Sequence, residues 1–228
     1  MSLDTYKEKR NFNLTKEPPG AAAAKKTTHS LQYVVQKHRA TSLHYDFRLE
    51  HNGVLLSWAV PKGPSLDPSV KRLAMHVEDH PLDYGGFEGI IPEAEYGGGT
   101  VMVWDNGTWT PEVDDIDAAL AKGDLKFTLD GKKLHGSWVL VRTRGFGGSD
   151  NSWLLIKHRD RFASDKDILA AKPRSILTNR LLADIALDEG GNVTKAATGD
   201  PQPAKKPGAK TTKAKSTSKP KAAEKAKR

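Results

Sequence analysis

The chain has 228 residues, a formal net charge of +8 and no cysteine. Its length fits one domain with appendages, and the lack of Cys excludes disulfides and thiolate metal sites. No apolar run approaches the ~20 residues of a membrane span, and residues 1–12 lack the apolar core of a secretory signal, so a cytoplasmic, nucleoid-associated protein with no membrane partner is expected.

The charge is uneven. Residues 195–228 hold eleven basic and two acidic groups, and the remaining 194 residues hold 25 basic and 26 acidic ones. The body is therefore nearly neutral, and the excess lies in one tail.

Residues 1–28 read as an N-terminal arm, broken by Pro18, Pro19 and Gly20. Residues 31–60 carry the clearest pattern, two alternating segments around a polar break at 39–43. In the second, Leu43, Tyr45, Phe47 and Leu49 share one face, and His44, Asp46, Arg48 and Glu50 share the other. If residues 39–43 close a hairpin, His38 and His44 become cross-strand neighbours about 5 Å apart at Cβ. Two imidazoles and the Asp46 carboxylate then reach one metal, with Arg48 one step along to hold an anion. The competing reading is two solvated histidines on a hairpin; spacing alone leaves the two level, and Arg48 on the same face tips the balance to a metal-plus-anion site. With N and O ligands only, Mn²⁺ and Zn²⁺ are both chemically reasonable.

Asn52-Gly53 signals a tight turn before a return strand at 54–60. Residues 72–77 alternate with Leu73, Met75 and Val77 inward and Arg72, His76 and Glu78 outward. His80 alone reads as a polar strand end, and Lys62 and Arg72 as solvated cations. The Tyr84 hydroxyl is a candidate donor to a phosphate. Short strands follow at 85–91 and 100–104, with Asp105-Asn106-Gly107 turning the latter into 108–110. Gly97-Gly98-Gly99 has no following Lys-Ser/Thr and opens no helix, so it reads as a turn or bulge. Asp114, Asp115 and Gly123 bracket a helix at 116–122. A hairpin spans 125–143, a last strand 152–157, and helices are expected at 167–170 and 178–187. The five tryptophans fall in or beside strands, where core packing explains them better than base stacking. Short strands at regular spacing predict a mainly all-β sandwich or barrel, here a β-barrel at 29–160 with a helical segment at 161–190. Residues 191–228, rich in Lys, Ala and Pro, are expected to be a disordered basic tail that binds phosphate nonspecifically.

The segments HRATSLHYDFRLEHNGVLLSWAVPKGPS and VEDHPLDYGGFEGIIPEAEYGGGTVMVWDNGTW resemble the 3′-phosphoesterase domain of bacterial DNA ligase D. The similarity continues through LKFTLDGKKLHGSWVLVR, WLLIKHRD and RSILTNRLLADIA, over roughly residues 5–187. The resemblance implies a β-barrel with its site on an open polar surface. It implies removal of a 3′-terminal ribonucleoside and of the resulting 3′-phosphate before nonhomologous end joining. The implied metal ligands are His38, His44 and Asp46, usually for manganese, with Arg48, His80 and Tyr84 around the scissile phosphate. Lys62, Arg72 and Glu78 match supporting positions, and Arg10 and Glu17 match an arm motif tied to the ribonucleoside step. Asn11 departs from the family's Asp there. The implied partners are DNA 3′ ends and, beside them, a separate DNA ligase and a Ku-like end-binding protein, since no Lys-x-Asp-Gly motif is present and the chain reads as a stand-alone processing enzyme. The rival classes are a noncatalytic DNA-end-binding adaptor and a small-molecule phosphatase.

Overall fold

The computed structural model describes residues 3–20, 30–143 and 151–202. Nine antiparallel strands run β1 Gln32–Arg39, β2 Leu43–His51, β3 Val54–Val60, β4 Arg72–Pro81, β5 Gly89–Ile91, β6 Gly99–Pro111, β7 Asp124–Gly131, β8 His135–Arg142 and β9 Ser152–Lys157. Their order is β1-β2-β3-β4-β9-β8-β7-β6-β5, and β6 also pairs with β1. Eight strands thus close a barrel, with β5 appended to β6. Closure removes the unpaired edges that an open sheet of this size would expose. No helix among the described residues is long and apolar enough to cross a membrane.

The expected hairpins form where local chemistry dictates them. His38 pairs with His44 across β1 and β2. Asn52 and Gly53 both take positive φ, +49° and +81°, as a two-residue turn matched to strand twist requires. Tyr45, Phe47 and Leu49 enter the barrel core with Trp58, Trp104, Trp109, Trp138 and Trp153, so all five tryptophans pack as core. Helix α2, Ile116–Lys122, is capped by Asp115, which accepts from Ala118 N, and ends at left-handed Gly123.

Four expectations need correction. First, β4 has the opposite phase: Ala74 is in the core, and His76 lies against Trp58 and Trp153. Pairing puts Val77 opposite Ser57 and His80 opposite Leu55. Three steps on β4 therefore match two on β3, a bulge that invalidates simple alternation. Second, 105–107 is not a turn, because β6 runs straight through it. The buried Asp105 accepts from Tyr33 Oη at 2.6 Å and from Lys132, Lys133 and Leu134 N. A Cβ on Gly107 would lie 2.1 Å from Asp130 O, so this glycine serves close strand approach. Third, residues 85–91 hold a 3-10 turn, Leu82–Gly86, ahead of β5. Fourth, residues 191–202 are folded. Asn192 caps α5, Val193–Ala197, Ala196 joins the core, and Asp200 accepts from Leu182 and Ala183 N at the start of α4, Leu182–Asp188. Composition averages over these caps, which need only one or two residues each. Residues 203–228, the rest of the basic tail, lie outside the described residues.

Helix α3, Ile168–Ala171, begins one residue after its cap Asp167. Helix α4 begins later than expected because Asn179 has φ +58°, outside the helical region. Helix α1, Asp4–Glu8, belongs to the arm and buries Tyr6 completely.

Candidate metal and phosphate site

The polar face of β2 is not an open surface. Residues 3–20 and the 3-10 turn cover it, leaving His38, Asp46, Arg48 and His80 all buried. A second apolar cluster of Tyr6, Val34, Leu55, Tyr84 and Val103 lies under this cover. What stays accessible is a cavity of about 200 Å³ lined by Arg10, His38, His44, Asp46, Arg48, Glu78, His80, Tyr84 and Tyr96, among others.

At one wall of this cavity stand His38, His44 and Asp46, with one ligand atom from each within 4.8 Å of the others. The two rings lie 4.8 Å apart. His38 Nδ1 and His44 Nε2 are each 3.6 Å from an Asp46 oxygen, too long for a hydrogen bond. His44 Nδ1 lies 3.1 Å from Ser42 O; donation there orients the ring and leaves Nε2 free as a ligand. His38 Nε2 is buried with no hydrogen-bond partner. An orphaned buried imidazole nitrogen in a set of two nitrogens and one carboxylate fits a divalent first-row metal.

Burial raises the Asp46 carboxyl, but the Arg48 guanidinium and the His38 and His44 rings outweigh it and hold the group well below the carboxylate range. Burial also pushes His44 down, with the neighbouring Asp46 opposing. Both directions favour the unprotonated forms that a metal needs.

Next to this cluster Arg48 is fixed on three sides. Its Nε donates to Gln36 Oε1 at 2.8 Å, its Nη1 to Ser57 Oγ at 2.7 Å, and its Nη2 pairs with Asp46 at 3.2 Å. Arg10, from the arm, pairs through Nε with Glu17 at 3.0 Å and through Nη1 with Glu78 at 3.4 Å. His80 stands between the two guanidiniums, its Nε2 accepting from Arg10 Nη2 at 3.2 Å. Its Nδ1 lies 2.9 Å from both Glu78 O and Arg48 Nη1. With the proton on Nδ1 and given to Glu78 O, Nε2 is the ring's one acceptor and takes the Arg10 bond, which leaves the Arg48 approach as a packing contact. Burial, then Arg48 and Arg10, lower His80 far below its usual 6.5, so it is a neutral ring.

Tyr84 Oη donates to Glu17 Oε1 at 3.0 Å, and burial, then Glu17, raises its hydroxyl well above 10. It therefore supports the Glu17–Arg10 pair instead of presenting a free donor. Lys62 is exposed beyond β3. Arg72 pairs with core residue Leu155 across β4 and β9. Neither lines the cavity. Asn11 is exposed, accepts from Asn13 N at 3.2 Å, and also stands outside the cavity lining.

Sequence reasoning missed Tyr6, Lys9, Gln36, Ser57 and Tyr96. Tyr6 stacks under Arg10, with its ring centroid 3.9 Å from the guanidinium carbon. Lys9 Nζ pairs with Glu78 at 3.1 Å. Gln36 and Ser57 had a signal: both occupy the polar face of the strands flanking β2, opposite Asp46 and Arg48 in register.

Residues 36–142 match the family model described as the DNA Ligase D 3′-phosphoesterase domain. A multifunctional non-homologous end joining protein LigD of Pseudomonas aeruginosa is 54% identical over 183 residues, covering 79% of this chain and 22% of that protein. Its namesakes from Mycobacterium bovis and Mycolicibacterium smegmatis are 41% and 38% identical, covering 73% and 70% of this chain and 21% of each relative. The chain spans about a fifth of the length of the curated relatives it matches.

Proposed function

Since the chain belongs to the DNA ligase D 3′-phosphoesterase family, we propose that it is a metal-dependent hydrolase that trims DNA 3′ ends for end joining, removing a 3′-phosphate and a 3′-terminal ribonucleoside to leave a 3′-OH. The observation that carries this reading is the His38–His44–Asp46 group opening into the same cavity as Arg48 and Arg10. The donor set suits a divalent ion, Mn²⁺ by family preference, held by His38, His44 and Asp46.

Three cations, Lys9, Arg10 and Arg48, face three carboxylates, Glu17, Asp46 and Glu78. The protein's own charges therefore nearly cancel. A bound divalent ion supplies the missing positive charge and Lewis acidity toward a phosphoryl oxygen. Each Nη2 of Arg48 and Arg10 carries a second N–H beyond the one it uses within the protein, and these two donors fit phosphate oxygens. Neutral His80 accepts from Arg10 and packs against Arg48. With its Nδ1 proton engaged and its acidity set far from neutral pH, it suits positioning better than proton donation. Glu17, Glu78 and Tyr84 fix Arg10 in turn; Lys62 and Arg72 stand outside the cavity.

The test is incubation with Mn²⁺ and a primer–template ending in 3′-phosphate or in one 3′-ribonucleotide, with a nucleoside monophosphate alongside. Conversion of both ends to 3′-OH, abolished by chelation, is expected. Tight end binding without turnover makes the chain an adaptor, and preference for the monophosphate makes it a small-molecule phosphatase.

A further inference from the structure

Tyr96 lines the cavity of the metal cluster yet is 52% exposed, the one aromatic among the exposed large apolar side chains of the described residues. It stands in the turn between β5 and β6. An exposed ring at a turn is ordinarily free to move, but this one is tethered. Lys9 Nζ donates to Tyr96 Oη at 3.4 Å and sits 4.7 Å from the ring centroid. The Arg10 guanidinium carbon is 5.9 Å from the same centroid. Lys9 is itself anchored to Glu78 at 3.1 Å. The arm and β4 thus hold the ring in place at the mouth of the site, so much of its freedom is lost before any ligand arrives.

The cavity, about 200 Å³, is small beside the roughly 300–1,000 Å³ of pockets that enclose a whole organic ligand. It admits a phosphate and part of a sugar, so the base of a terminal nucleotide must lie outside, where the Tyr96 ring is. Every base has a π-face, and aromatic side chains bind nucleotides by stacking without reading their identity.

We infer that Tyr96 is the stacking platform for the base of the 3′-terminal nucleotide, a binding residue that selects for an intact base next to the scissile phosphate. The inference rests on the 3′-end reading above, and its test has a readout that does not need turnover. Affinity of the full chain is measured by fluorescence anisotropy for two primer–templates ending in 3′-phosphate, one with a normal terminal base and one abasic there. Tyr96→Ala should weaken binding of the base-bearing end about tenfold and leave the abasic end within about twofold, while Tyr96→Phe and Tyr96→Trp keep the wild-type contrast. In turnover assays the loss should fall on KM more than on kcat. Equal loss on both ends, no loss with Tyr96→Ala, or Tyr96→Phe as weak as Tyr96→Ala overturns the inference; the last would assign the effect to the hydroxyl bond with Lys9. A wild type that removes no 3′-phosphate sinks the enzymatic reading, and the base-versus-abasic contrast still decides the role of Tyr96.

Discussion

Two terminal segments cover the barrel, and they do so with different balances of charge and apolar area. The N-terminal residues 3–20 close largely through charged groups: Arg10 pairs with Glu17 and reaches Glu78 and His80 on β4. The C-terminal segment closes mainly with apolar side chains, Leu182, Ile185, Ala186 and Ala196 all joining the main core, beside one buried pair of Asp200 with Lys37 at 3.6 Å. Buried ion pairs add little net stability because desolvation offsets their attraction, whereas losing one partner is costly. Apolar burial stabilises at roughly 25 cal/mol per Å². The arm is therefore a functional cover held by specific geometry, and the C-terminal segment is a structural one held by area.

The largest effect that tests this contrast is at Asp46. Asp46→Asn should reduce Mn²⁺ affinity, read by calorimetry, at least ~100-fold. It should also destabilise the fold by about 3–5 kcal/mol, because Arg48 loses its buried counter-charge. The resemblance implied an open polar surface, where a substitution would spare the fold, and the burial of Asp46 reverses that expectation. Unchanged metal affinity would remove Asp46 from the ligand set.

On the other side, Ile185→Ala should cost about 2–5 kcal/mol in urea unfolding and change kcat less than about twofold. A larger effect on kcat than on stability would break the division of labour between the two covers.

The site beneath the arm should also respond to pH. His80 is lowered in the folded state from 6.5. Above pH 6.5 it is neutral folded and unfolded, with no effect. Below 6.5 the unfolded chain takes a proton that the folded site refuses, so stability falls as pH drops, by up to about 1.4 kcal/mol per pH unit. His80→Asn should flatten that slope by up to one proton. The same slope in both proteins would mean that His80 titrates freely in the fold.

The smallest effect is expected at Asn11. Arg10 is fixed by Glu17 and Glu78 without it, and Asn11 makes a local turn contact that Asp makes equally well. Asn11→Asp should therefore alter ribonucleoside removal less than about threefold, measured on 3′-ribonucleotide primers. A tenfold gain would show that residue 11 reaches substrate.

What was legible in the sequence was local. The β1–β2 register, the Asn52-Gly53 turn and the Asp115-to-Gly123 helix each depend on a few adjacent residues, and each formed as expected. The grouping of His38, His44 and Asp46 followed from hairpin geometry alone. What escaped depended on distant partners. Gly107 looked like a turn because its need is an approach by Asp130 on another strand. The site around Arg48 looked open because its cover comes from the distant residues 3–20. Tyr84 looked like a free donor because its acceptor, Glu17, lies 67 residues away.

The extra residue in β4 has a consequence for how this protein tolerates change. Between the pairings Ser57 with Val77 and Leu55 with His80, β4 spends three positions where β3 spends two. Deleting Asp79 would leave every cavity side chain in the chain and keep Val77 and His80 on one face, yet strict alternation would turn Glu78, which lies between them, to the opposite wall. Glu78 would then no longer meet Lys9 and Arg10. The site is thus encoded partly as a length, and a homologue that keeps all its charged residues but lacks this insertion would carry the ingredients without the arrangement.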